Sequence, residues 1–300
     1  MAFALSPERT GPRLGSSLRQ ILLEQIDEAQ RLLAVTAPTV EMEAEAIHAA
    51  RKAGKRVRTI VRLLYYALGS LQGRVVGEQV AHTTRQLSSV RDEQMLSAPL
   101  TKLRDETDDA ELLQQIEQVS RSLLPLSQAS IANTLRRQVL QELHDVRSRV
   151  DGLGLVLPLG KAITKGVARL WRRMRQAYRV VHRVPSTENF HRVRKRIKDC
   201  FYTVCLLRPL RPRRLVHLKK NLERLADDLG FEHDLAILAE RIRYDPFVSA
   251  SSSAHLLAHV AIRRERLQHA AHRQVRSLLR WSPKRLAKVM CRTLRKADVA

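Results

Sequence analysis

Apolar residues recur at intervals of three and four along most of the chain, and strict alternation of apolar with polar residues is rare. That spacing marks amphipathic helices, and an aromatic content of 4% leaves little strand signal. The sequence predicts an all-α protein with helices at about 16–36, 40–69, 75–90, 92–105, 108–150, 160–183, 187–208, 212–230, 233–244 and 252–281. Breaks are expected at Pro38, Gly69 to Gly73, Gly152 to Gly160, Pro185, Pro209 to Pro212 and Pro246. Residues 1–14 and 286–300 are expected to be mobile ends.

The helical pattern repeats itself. His48-Ala-Ala-Arg51-Lys52-Ala-Gly-Lys55 returns 143 residues later as His191-Arg-Val-Arg194-Lys195-Arg-Ile-Lys198. A second mark follows each copy: Arg91-Asp92 lies 44 residues after His48, and His233-Asp234 lies 43 after His191. Two signals at nearly one offset imply two similar helical bundles, at 15–150 and 160–285, related by approximate two-fold symmetry.

At 100° per residue with His48 at 0°, Arg51, Lys52, Lys55, Arg58 and Arg62 fall between about −80° and +40°. Ala50, Ala53, Val57, Ile60, Val61 and Leu64 lie on the opposite side, which packs inward. The second copy repeats this: His191, Arg194, Lys195, Lys198 and Tyr202 share one face, opposite Val193, Ile197, Cys200, Val204 and Leu207. The copies are unequal, because Asp199, Phe201 and Cys205 stand where the first has Arg56, Arg58 and Arg62. Like charges three or four apart cost roughly 0.2–0.5 kcal/mol per pair, and neither stripe interleaves Asp or Glu to relieve them. An ordinary solvated face explains one such stripe; two at matching positions ask for an anion. The first stripe spans about 21 Å from His48 to Arg62, which suits an extended anion better than one small phosphate.

Charge sharpens that reading. Lys and Arg number 54 against 30 acidic residues, a net charge of +24, which calls for a polyanionic partner. Residues 1–150 carry 20 basic and 18 acidic residues, and 151–300 carry 34 and 12, so the excess sits in the second half. Arg169, Arg172, Arg173, Arg179, Arg263, Arg264, Arg266, Arg273 and Arg276 have no copy in the first half, so solvated surface is the favoured reading, with completion of the site by some of them as the alternative. His48 and His191, as cations or as neutral donors, would suit phosphate oxygens, and in the charged role they are expected to strengthen anion binding as pH falls toward 6.

Other chemistry is thinly represented. Cys200, Cys205 and Cys291 are odd in number and form no Cys-x-x-Cys pair, so neither a disulfide framework nor a thiolate zinc site is indicated, and a reducing compartment fits. Glu41, Glu43 and Glu45 run into the His48 helix, where they would spread around its surface and complement the helix dipole rather than hold a metal. His255 and His259 lack a third ligand at motif spacing. Asp105, Glu106, Asp108 and Asp109 read as a solvated helix junction, and no Walker loop or nucleophile elbow occurs. The expectation is a binding protein, not an enzyme, without cofactor or metal. With no signal peptide and no long apolar run, a cytoplasmic location is expected.

The duplicated His-x-x-Arg-Lys-x-x-Lys helices, each followed by an Asp-bearing mark, resemble the CHAD domain, the conserved histidine α-helical domain, over residues 15–285. The resemblance implies two bundles facing across a basic cleft that binds inorganic polyphosphate, with association to polyphosphate granules. The ligand residues it implies are His48, Arg51, Lys52, Lys55 and Arg58 with His191, Arg194, Lys195, Lys198 and Tyr202. A nucleic-acid binder is the alternative, and it would want exposed aromatics, of which only Tyr202 lies on either stripe. An enzyme processing a phosphate polymer is a further alternative.

Overall fold

The structure is a computed structural model describing residues 3–10, 13–35, 37, 39–68, 70–92, 96–123, 133–155, 158–244, 248 and 253–297, with side chains described at all of these except 9, 40, 41, 70, 71, 88–92, 123 and 295–297. Expected breaks at Pro38, Gly69 and Pro246 lie outside the described residues, as do the side chains of Glu41 and of the Arg91-Asp92 mark. Every regular element among those described is helical. The α-helices are α1 (Leu14–Ala34), α2 (Val40–Leu63), α3 (Ser70–Asp92), α4 (Ser97–Asp105), α5 (Ala110–Leu123), α6 (Asn133–Asp151), α7 (Leu159–Arg183), α8 (Thr187–Leu207), α9 (Pro212–Tyr244), α10 (Ala254–Leu279), α11 (Pro283–Met290) and α12 (Arg292–Ala297).

Both repeat helices begin at a side-chain cap. The Thr39 hydroxyl accepts from the Met42 N–H at α2, and the Ser186 hydroxyl accepts from the Asn189 N–H at α8. Each then buries the apolar face that periodicity assigns to it: Ala50, Ala53, Val57 and Ile60 in α2, Val193, Ile197, Cys200 and Val204 in α8.

Helices α1, α2, α3 and α6 form a ring, each packed on the next and α6 back on α1. Helices α7, α8, α9 and α10 pack in succession, with α11 and α12 laid on α7, and α2 joins the two groups by touching both α7 and α8. The apolar interior does not part at the repeat junction. One cluster draws on α1, α2, α3, α6, α7 and α8, the first half of α9, the end of α10, and α11 and α12. A second is built from α4 and α5 of the first repeat with the later part of α9 and the start of α10, through Leu100, Leu112, Ile116, Leu235, Leu238, Ile242, Leu256 and Val260.

Three expectations are corrected. The break expected between 230 and 233 is absent, and α9 runs unbroken. Its Leu222, Leu225 and Leu229 sit in the first cluster and its Phe231, Leu235 and Leu238 in the second, and that burial outweighs the roughly 1 kcal/mol that Gly230 costs a helix. The described parts of the chain ends are packed, not loose. Leu5 is fully buried and its N–H donates to the Leu206 carbonyl at 2.8 Å, while Leu286, Ala287, Met290 and Leu294 are buried at the other end, the α11 and α12 segment that lies against α7. Glu43 is not on the surface: it is buried in an ion pair with Arg136 of α6, which also donates to the Val35 carbonyl at 3.1 Å. No helix among the described residues is long and apolar enough to cross a membrane.

Candidate anion-binding site

Two glycines set how closely the helices approach. A Cβ at Gly166 of α7 would lie 1.9 Å from the Leu63 carbonyl oxygen, so only glycine lets α7 cross the end of α2. That crossing brings Arg169 and Arg173 beside the α2 stripe. A Cβ at Gly54 would lie 2.3 Å from Cγ2 of Thr84, so α3 also rides close to α2 and delivers Arg85 toward Arg58.

The two repeat stripes meet. Lys55 acts on His191, Arg58 and Arg62 act on Lys195, Lys52 acts on Lys198, and Arg62 of α2 bonds Asp199 of α8 at 2.5 Å. Burial, then Arg62, pushes Arg58 down to about 10, and burial, then Arg196 and Arg169, pushes Arg173 down to about 10. Lys195 is lowered by burial and by Arg58, Arg196, Arg194 and Arg62; Lys198 is lowered by burial against the opposing pull of Asp227, 3.6 Å away. Helices α2, α3, α7 and α8 thus point cations into one space.

Two imidazoles close one side of it. The His191 and His233 rings stand 4.0 Å apart, tilted by 34°. Burial and the neighbouring Lys195, Arg194 and Lys55 hold His191 down at about 4; burial, His191, Arg194, Lys195 and Arg264 hold His233 down at about 3. Their Nδ1 atoms, with Nε of Arg58 and Arg194, are buried without a hydrogen-bond partner among the described residues. In this state both rings are held toward the neutral form, because desolvation among cations disfavours the imidazolium.

The predicted residues do not all arrive together. Lys55, Arg58, Arg62, His191, Arg194, Lys195 and Lys198 converge, and Lys52 acts on Lys198 from the exposed side of α2. His48 is exposed one turn before Lys52, and Arg51 donates from a half-buried position to the Leu87 carbonyl at 3.1 Å. Tyr202 leaves the stripe. It is buried, edge-on to Phe3 at 6.1 Å, because the chain's first residues cover the face that a bare projection leaves to solvent.

The cluster has further members. Arg169 and Arg173, for which completion of the site is the alternative to solvated surface, join it, and Arg196, which periodicity misses, joins it although it projects away from the α8 stripe. Their four-residue spacing on α7 was the available signal for the first two. His233 was visible as half of the second repeat mark. Arg264 is held by Glu232 at 2.9 Å beside that ring, whereas Arg263 pairs with Glu106 at 2.8 Å and Arg276 is exposed on the last turn of α10. His255 lies 3.6 Å from both Asp109 and Glu111, yet no group of three or more ligand side chains that could hold a metal forms among the described residues.

The CHAD domain model matches residues 20–243 of the sequence. A crystal structure of the CHAD domain from the plant Ricinus communis is similar to this chain with a TM-score of 0.54 and 16% identity, over 97% of this chain and 95% of that one, a likeness of fold. No curated protein matches the sequence.

Proposed function

The chain belongs to the CHAD domain family, and from that premise we propose that its cation cluster binds inorganic polyphosphate without catalysis, and that binding can tether the protein to polyphosphate granules from a cytoplasmic location. The observation that carries this reading is crowding: Arg58, Arg173, Lys195, His191 and His233 are each pushed toward the neutral form by burial and by neighbouring cations. A chain of phosphates replaces that repulsion with attraction at every site. Each charge-assisted hydrogen bond contributes about 1.5–3 kcal/mol, so two or three outweigh the repulsion inside a stripe. The cluster draws on four helices and the α2 stripe is about 21 Å long, which favours an extended anion over a single phosphate.

One observation favours nucleic acid as the second reading. Tyr65 and Tyr66, 40% and 43% exposed, pack edge to face at 5.2 Å, with the Arg169 guanidinium 3.9 Å over Tyr65, and such rings can stack bases. Competition separates the two: labelled polyphosphate bound near physiological salt is challenged with single-stranded RNA, DNA and heparin. Polyphosphate should hold the site against all three; displacement by RNA at lower concentration than by unlabelled polyphosphate would overturn the reading. Steady phosphate release from polyphosphate with Mg²⁺ would overturn its non-catalytic part.

A further inference from the structure

Much of the second half's positive charge is still unaccounted for by the cluster. Between residues 208 and 224 the sequence carries seven Lys and Arg against one acid, Glu223, which Lys219 engages at 2.7 Å. With Arg213 at 0° on α9, His217, Lys220 and Arg224 fall between about −20° and +40°. Leu215, Leu218, Leu222, Leu225 and Leu229 lie opposite and are all buried. This is a third one-sided basic stripe, on the part of α9 that precedes the repeat mark at His233-Asp234. It runs about 16 Å from Arg213 to Arg224.

Arg213, His217, Lys220 and Arg224 are exposed. None of them makes an ion pair with a described residue, and none is among the charges acting on Arg58, Arg173, Lys195 or His191. The stripe begins with Arg213 and Arg214 in a first turn that has no acid, where the helix dipole disfavours cations. At its other end stand Asp227, the partner of Lys198, and Asp228, which accepts from Gln274 at 2.6 Å. These two carboxylates divide the stripe from the cluster, while the Lys198 to Asp227 contact puts the two next to each other.

We propose that the α9 stripe is a second phosphate-chain station, and that one long polyphosphate occupies the cluster and the stripe together. The proposal rests on the cluster being a polyphosphate site. The occupant follows from charge complementarity: a line of like cations at helical spacing, without aromatics or acids among them, matches a flexible line of phosphates. A short oligophosphate fills the cluster alone. A long chain held there presents its free end to the stripe at high effective concentration, so length itself raises affinity.

The test compares tripolyphosphate with long-chain polyphosphate by titration calorimetry. It uses the full chain, the variant Arg213→Glu/Lys220→Glu/Arg224→Glu and the cluster variant Arg58→Glu/Lys195→Glu, with circular dichroism to confirm folding. The triple variant should bind tripolyphosphate as the parent does and lose roughly tenfold or more in affinity for the long chain. Unchanged long-chain affinity in that variant overturns the second station. Equal weakening for both ligands also overturns it, because the stripe would then belong to a single site. Full tripolyphosphate binding by the cluster variant would instead overturn the functional reading on which the proposal rests.

Discussion

Arg62 of α2 donates a 2.5 Å hydrogen bond to Asp199 of α8, a residue only 4% exposed, whose carboxylate also accepts from Arg196 at 3.3 Å. Each repeat supplies one partner, so this pair ties the two stripe helices together at the depth of the cluster. Asp199 is also the negative charge that Arg58 and Arg173 feel there.

Asp199→Asn removes that charge and leaves Arg62 and Arg196 with a neutral amide. The variant is expected to lose about 2–3 kcal/mol of stability, below the full cost of breaking a buried pair because Arg62 keeps partial contact with solvent. Polyphosphate should restore more stability to the variant than to the parent, since the ligand then supplies the missing anion. Urea denaturation with and without ligand measures both; equal ligand stabilisation would contradict it.

Gly166→Ala drives a methyl group into the Leu63 carbonyl, which is backbone and cannot rotate away. Separation of α7 from the end of α2 is expected to cost about 1–3 kcal/mol. It also withdraws Arg169 and Arg173, so polyphosphate affinity should fall although no cation has been changed. A thermal melt and a binding isotherm on the same sample check both effects.

Reversing charge where the stripes meet, with Lys55→Glu and Lys198→Glu together, is expected to weaken polyphosphate binding about 100-fold or more while leaving helicity intact. Arg173→Glu should weaken it as well. Arg276→Glu, on the last turn of α10, should change it little. The salt dependence of binding should become shallower in the first two variants, because fewer counterions are exchanged. Equal damage from Arg276→Glu would mean diffuse adhesion and no defined site.

His191 and His233 lie near 4 and 3 in the folded protein against an ordinary 6.5. From about pH 6.5 downward the unfolded chain therefore takes up protons that the folded chain refuses, and the free protein should lose stability as pH falls through that window. Phosphate facing Lys55, Arg194, Lys195 and Arg264 beside these rings would raise both pKa values. The ligand should then raise the melting temperature more at pH 5.5 than at pH 8. His191→Gln/His233→Gln should flatten that difference; an unchanged profile in the double variant would remove the histidines from the linkage.

The sequence by itself determined the helical class, the two stripe helices and which face of each is core, because an amphipathic face is a local property that a 3.6-residue period encodes. Val57 and Ile60, or Val193 and Ile197, are buried where that period places them. Tertiary structure decided the rest, because convergence depends on residues far apart in the chain. Gly166 carries no mark of its meeting with Leu63, yet that contact admits Arg169 and Arg173 to the cluster. Tyr202 projects with the ligand residues, yet Phe3 covers it. Asp199 reads as a flaw in the second copy, and only its position 2.5 Å from Arg62 shows the substitution as the anion that joins the two copies. A helical wheel fixes direction around one axis; which axes lie close enough for charges to act on one another is set by packing.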